Sequence, residues 1–160
     1  RGVLRRLSTT PVHPGLLLAA QLAINVVLAS GAVALLLIVG RLVFAVPFPQ
    51  NEAGFLLSFF LGLSSMLALG LFIAAVAPTA RMGAVLSMPV YFGVMFLGGA
   101  YMPRVFLPEF LVSVSRYMPP GVQPLLDSWV GASPEPVQLA VLAVVSIAAA
   151  LAAARAFRWE

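Results

Sequence analysis

Cysteine and lysine are both absent from this 160-residue chain, and histidine occurs once, at His13. Without cysteine there is no disulfide framework, no thiol catalysis and no Cys-based metal site. One histidine cannot build a His-rich zinc centre or a His pair. Charge of either sign is scarce, at 9% of residues against about 25% in a soluble domain. So few charges could not cover the surface of a soluble fold. The 62% hydrophobic content equally excludes intrinsic disorder. With a mean hydropathy of +1.07, the chain reads as an integral membrane protein or a piece of one. Its opening, Arg1-Gly2 without methionine, reads as a fragment or a processed chain. The apolar runs are too long and too many for a secretory signal.

All nine positive charges are arginine, and against five acidic residues they leave a net +4. In a soluble protein that balance would suggest nucleic acid. Here the arginines are scattered between apolar runs, with no basic stripe interleaved with aromatics, so no nucleic-acid partner is expected and a topology signal explains them better.

Four runs are long enough to span a bilayer: residues 16–40, 53–77, 82–102 and 137–154. The first two, of 25 residues, reach about 37 Å as helices, enough for a ~30 Å hydrocarbon core with tilt. Their length and lack of alternation favour helices over barrel strands. The breaks are set by Pro47, Pro49 and Asn51, by Pro78-Thr79-Ala80-Arg81, and by a proline-rich connection over 103–136. Arg1, Arg5, Arg6, Arg81, Arg155 and Arg158 fall on one side of these spans and Arg41, Arg104 and Arg116 on the other, together with Glu52, Glu109, Asp127 and Glu135. The richer side is expected to be cytoplasmic, with both termini inside a plasma (inner) membrane.

Within the long connection, Phe110, Leu111, Val114, Tyr117 and Met118 share a helical face, with Pro108 suited to the first turn. Pro119-Pro120-Gly121 breaks the pattern. A second short piece then places Leu125, Leu126, Trp129 and Val130 on an apolar side, with Trp129 fit for a headgroup-level anchor. Two short amphipathic helices, dipping into or lying on the outer leaflet, are expected. An ordered external loop is the plainer alternative.

Chemistry is poorly provided for. Ser64 and Ser65 have no base near them in sequence, since His13 lies outside the spans, and no span carries an acid or base at its centre. That argues against an intramembrane protease, a metal site and a proton-coupled carrier. No G-x-x-x-x-G-K-[ST] loop occurs, so the chain binds no nucleotide cofactor of its own and ATP belongs to another chain. Gln21 and Asn25, four apart, share a face of the first span. They either line a path or hold the bundle together, and packing is favoured. Ser58, Gly62 and Ser65 form a small-residue stripe on the second span, extended by Gly70 and Ala74, for which packing is again the default. Pro89, inside the third span, is a static kink or a hinge.

The segment Arg1 to Pro14 carries an apolar face, Val3, Leu4 and Leu7, flanked by Arg1, Arg5 and Arg6 and ended by Thr10-Pro11. Such a short amphipathic helix rests on headgroups or docks into a groove of a soluble partner.

The run Gly2-Val3-Leu4-Arg5-Arg6-Leu7-Ser8-Thr9-Thr10-Pro11-Val12 resembles the cytoplasmic coupling segment of type-2 ATP-binding-cassette permeases of the drug-resistance exporter kind. The resemblance continues through Gly70, Ala77-Pro78-Thr79 with Arg81, Gly98-Gly99, Met102-Pro103, Leu107-Pro108 and Tyr117-Met118-Pro119. It covers nearly the whole chain, and the order and spacing of these motifs carry it.

Several expectations follow from that resemblance. The fold would be an all-α integral membrane domain over 1–160: four transmembrane helices, an N-terminal cytoplasmic amphipathic helix at 1–14 and two short external re-entrant helices. The family's permease has six spans, so this chain reads as its C-terminal four-span part. Its partners would be an ATP-binding-cassette ATPase subunit holding ATP and magnesium, a second permease subunit (the same or different) and the lipid bilayer. The chain would not itself be an enzyme, and its substrate would be an amphipathic drug or lipid. The alternatives are a non-transporting membrane scaffold subunit and half of an ion-coupled carrier, the latter disfavoured by the charge-free spans.

Overall fold

The computed structural model describes residues 14–99, 101 and 106–156. The described residues form six helices: α1 (Pro14–Phe44), α2 (Glu52–Val76), α3 (Ala80–Leu97), α4 (Glu109–Tyr117), α5 (Val122–Trp129) and α6 (Pro136–Ala156). Four of them, α1, α2, α3 and α6, are long and apolar enough to cross a membrane. The fold is all-helical, as its composition implies.

The helix ends follow local chemistry. Asn51 caps α2, its side chain accepting from the Gly54 N–H at 2.9 Å. Thr79 caps α3 through Met82 N–H at 3.2 Å. Both satisfy backbone donors that the first helical turn leaves unpaired. Ala80 and Arg81, expected in a turn, therefore belong to α3. That helix stops at Leu97, five residues short of the expected 102, because Gly98 and then Gly99, at φ 86°, turn the chain out of it. Conversely, α1 runs on past residue 40 to Phe44 and α6 past 154 to Ala156. Each takes an arginine, Arg41 or Arg155, into its last turn, where a cation suits the helix dipole and its stem can lie along apolar surface.

The chain divides into two compact units, 1–47 and 48–160. In the first, α1 stands as a single helix whose apolar side chains, among them Val27, Leu28, Leu35 and Leu36, are exposed. The second is built on a seam between α2 and α6. The two helices run in the same direction: Asn51 Nδ2, before α2, donates to Ala132 O, before α6, at 3.2 Å, and Ser64 Oγ lies 3.3 Å from Ser146 Oγ further along. The buried face of α2 is Gly54, Ser58, Gly62, Ser65 and Ala68; that of α6 is Gln138, Leu142, Ala149 and Ala153. Apart from Leu142 and Gln138 of α6, small residues line this core, while most large apolar ones face outward. Helices in lipid have no hydrophobic drive to bury leucine, so close backbone approach takes its place. Gly70 and Ala74 are exposed, so the stripe leaves α2 by way of Ala68. Four-residue steps drift off one face, and the true contact line follows 3.6 residues per turn.

Candidate functional site

The helices α4 and α5 form a hairpin wedged into one end of the second unit. Three contacts fix its tip, Met118 to Val122. Gly62 of α2 lies so close to the tip that a methyl group there would overlap the Pro120 carbonyl oxygen. Gly121 sits at φ 79°, a left-handed conformation that favours glycine, with a Cβ there falling 2.6 Å from Leu142 Cδ1 of α6. Val122 approaches Gly98 at the end of α3. The hairpin's outer end is tied by backbone bonds from Gln50 N to Trp129 O (3.3 Å) and Asn51 N to Ser128 O (3.0 Å). The Trp129 ring meets Phe55 of α2 edge-on at 5.9 Å.

The faces of the hairpin differ from those the sequence suggests. On α5 the buried residues are Pro124 and Ser128, Ser128 Oγ donating to Pro124 O at 2.7 Å. Leu125 and Trp129 are half-buried, and Leu126 and Val130 are exposed. On α4 the buried residue is Ser115; Leu111 is half-buried, and Phe110 and Val114 are exposed. The residues closest to the bundle are again small or proline, and the bulky face is left toward the surroundings.

The remaining sequence-derived candidates are dispersed. Val3, Leu4, Leu7, Thr10 and Pro11 lie outside the described residues. Gln21 is exposed and Asn25 half-buried on α1. Pro89 is exposed within α3, which continues through it. Ser87 Oγ bonds to Gly83 O at 2.5 Å, one turn earlier. Ser58, Gly62 and Ser65 do come together, on the face of α2 that meets α6 and the hairpin. Ser65 Oγ donates to Gly62 O at 2.7 Å, whereas Ser58 Oγ and Gln138 Oε1 are buried without a hydrogen-bond partner in the protein. Ser115, Ser128, Gln138 and Ser146 were not singled out in sequence, although Gln138, Leu142 and Ser146 share one face at four-residue spacing.

The unpaired Ser58 hydroxyl separates packing from a pathway role. Ser58→Ala removes an unsatisfied group without changing the size class, so stability should be unchanged or rise by up to about 1 kcal/mol. Transport by the whole assembly should be unaltered if Ser58 only packs. Impaired transport at undiminished thermal stability would assign it to the path.

Charge is arranged along the unit. Glu52, Asp127 and Glu135 stand at the hairpin end, while Arg81, in the first turn of α3, and Arg155, in the last of α6, stand at the opposite end. Asp127 and Glu135 are engaged locally, accepting from Gln123 Nε2 (2.7 Å) and Gln138 Nε2 (3.2 Å). Among the described residues no group of three or more His, Cys, Asp or Glu could hold a metal ion.

Compared with known families, residues 1–120 match the model of the ABC-2 type transporter membrane domain. The chain belongs to the ABC-2 type transporter family. It is thus a multi-pass membrane protein and a permease component of an ATP-binding-cassette transporter, and its membrane domain is not itself catalytic. The match takes in the amphipathic segment, the first three spans of this ABC-2 domain and α4. No curated protein and no solved structure matched the chain in the same comparison.

Proposed function

We propose that this ABC-2 permease moves an amphipathic, drug- or lipid-like substrate outward, driven by ATP and magnesium on a separate ATPase, with a second permease subunit completing the path. The observation that carries the reading is the family match over 1–120. The absence of a phosphate-binding loop in the sequence supports a separate ATPase. The small-residue seam and charge-free spans favour an apolar or amphipathic cargo over an ion. To separate this from a scaffold subunit, the full-length chain is co-purified with its ATPase and reconstituted in proteoliposomes. Hydrolysis that depends on the permease and rises with an amphiphilic substrate is expected. Hydrolysis indifferent to both would leave the scaffold.

The orientation we propose has both termini in the cytoplasm and the hairpin on the outer side. Among the described residues of the second unit, Arg81 and Arg155 stand at the end away from the hairpin and Arg116 on the hairpin itself; this excess supports it, because Lys and Arg collect on the cytoplasmic side. Single cysteines at Ser133, in the exposed link before α6, and Ala156, at its end, provide the test. An impermeant thiol reagent should label the first and spare the second in intact cells. Equal labelling would overturn the orientation.

A further inference from the structure

The α4–α5 hairpin seats its tip part-way down the span bundle and carries an exposed arginine one turn before that tip. α2 has 25 residues and is about 37 Å long, some 7 Å more than a ~30 Å hydrocarbon core. The hairpin tip rests on Gly62, ten residues past Glu52, which is about 15 Å from that end of α2. If the whole overhang projected at the hairpin end, the tip would still sit about 8 Å inside the hydrocarbon. α3 gives the same level independently. Ser115, Met118 and Pro119 line a small crevice with Val94 and Leu97 of its last turn. Arg116 stands between Ser115 and Met118, in the last turn of α4, and is exposed.

No carboxylate among the described residues pairs with Arg116. Asp127 is held by Gln123, and Glu109 is two turns back along α4, about 10 Å along the axis. A guanidinium carried toward the hydrocarbon by this hairpin is costly unless it reaches water or a bound anion. The C-terminal end of α4 offsets part of that cost, because it favours a cation. Its positive charge attracts a lipid phosphate, as any Lys or Arg near anionic headgroups does.

We propose that Arg116 is an anion-binding group at the hairpin tip that holds the phosphate of an anionic phospholipid. This rests on the hairpin lying in the membrane, and on neither export nor ATP coupling. The full chain is placed in phosphatidylcholine nanodiscs without nucleotide. The fractions of spin-labelled phosphatidylglycerol and spin-labelled phosphatidylcholine immobilised at the protein are then compared. The wild type should select phosphatidylglycerol. Arg116→Gln should lower the selectivity about fivefold, the effect of one basic residue near anionic lipid, and Arg116→Lys should keep most of it. Because the readout is a ratio on one preparation, loss of folded protein lowers both signals and leaves the ratio. Equal selectivity in wild type and Arg116→Gln overturns the proposal, as does its loss in Arg116→Lys as well. Displacement of the labelled lipid by soluble glycerol phosphate would assign the site to a free anion and overturn the lipid assignment. A transport assay that fails while the selectivity holds would count against the exporter reading alone.

Discussion

Gly62→Ala should displace the hairpin and cost the protein more than any other single-methyl change in the second unit. The obstacle is the Pro120 carbonyl oxygen, a backbone atom that no rotamer change can move aside. Overpacking of a tight site costs about 1–3 kcal/mol when side chains can give way, and a fixed backbone places this case at or above the upper end. Relief requires Pro119–Gly121 to move as a unit, and that strains the αL turn at Gly121 and its contact with Leu142, which is 1% exposed. Gly70→Ala is the matched control. It lies on the same helix with nothing within 4 Å of the new methyl, so it should gain up to about 1 kcal/mol of helix propensity. Thermal unfolding of the full chain in detergent should fall sharply for Gly62→Ala and hold or rise for Gly70→Ala. Equal melting of the two variants would mean that the hairpin does not seat on α2.

This pair of glycines shows what was legible in the sequence and what was not. The four spans were legible, since each holds an uncharged run of near-bilayer length bounded by Pro, Gly, Asn or Arg, and such runs have few alternatives to a helix. The two short helices were legible too, from Pro108 and the Pro119-Pro120-Gly121 break. The ends of α1 and α6 run past the uncharged segments that the sequence marks, because a terminal arginine is compatible with the helix dipole and with a snorkelling stem. Which face each hairpin helix turns inward was missed for a different reason. Hydrophobic phasing marks the buried side in water, but in lipid the outward side is apolar as well. Ser115, Pro124 and Ser128 mark the contact face, and Phe110, Val114, Leu126 and Val130 do not. The depth of Arg116 could not be read from the chain, because it depends on where the tip meets α2.

Leu4→Asp with Leu7→Asp should uncouple the permease from its ATPase while leaving membrane insertion intact. The chain carries no nucleotide-binding loop, so in this reading the energy arrives through a contact with another subunit. The segment Arg1–Pro11 precedes the first span on the side assigned to the cytoplasm by the arginine bias. Val3, Leu4 and Leu7 offer too little apolar area to anchor firmly in a bilayer, but they suffice as anchors in a groove, where a few buried side chains dominate affinity. Burying one leucine-sized side chain contributes roughly 1.5–3 kcal/mol. Two aspartates forfeit both contributions and place charge where the groove is dry, so a drop in affinity of at least about a hundredfold is expected. Arg5→Gln and Arg6→Gln should each matter far less, because solvated rim charges add little to affinity. The measurement is co-purification of the full-length double variant with the ATPase, with substrate-stimulated hydrolysis read on the same samples. Loss of both at normal membrane abundance is the expected result. Undiminished binding and hydrolysis would show that the segment only rests on lipid headgroups, and coupling would then have to run through another cytoplasmic element, of which the Ala77–Arg81 turn between α2 and α3 is the one with both a cap and a charge to offer.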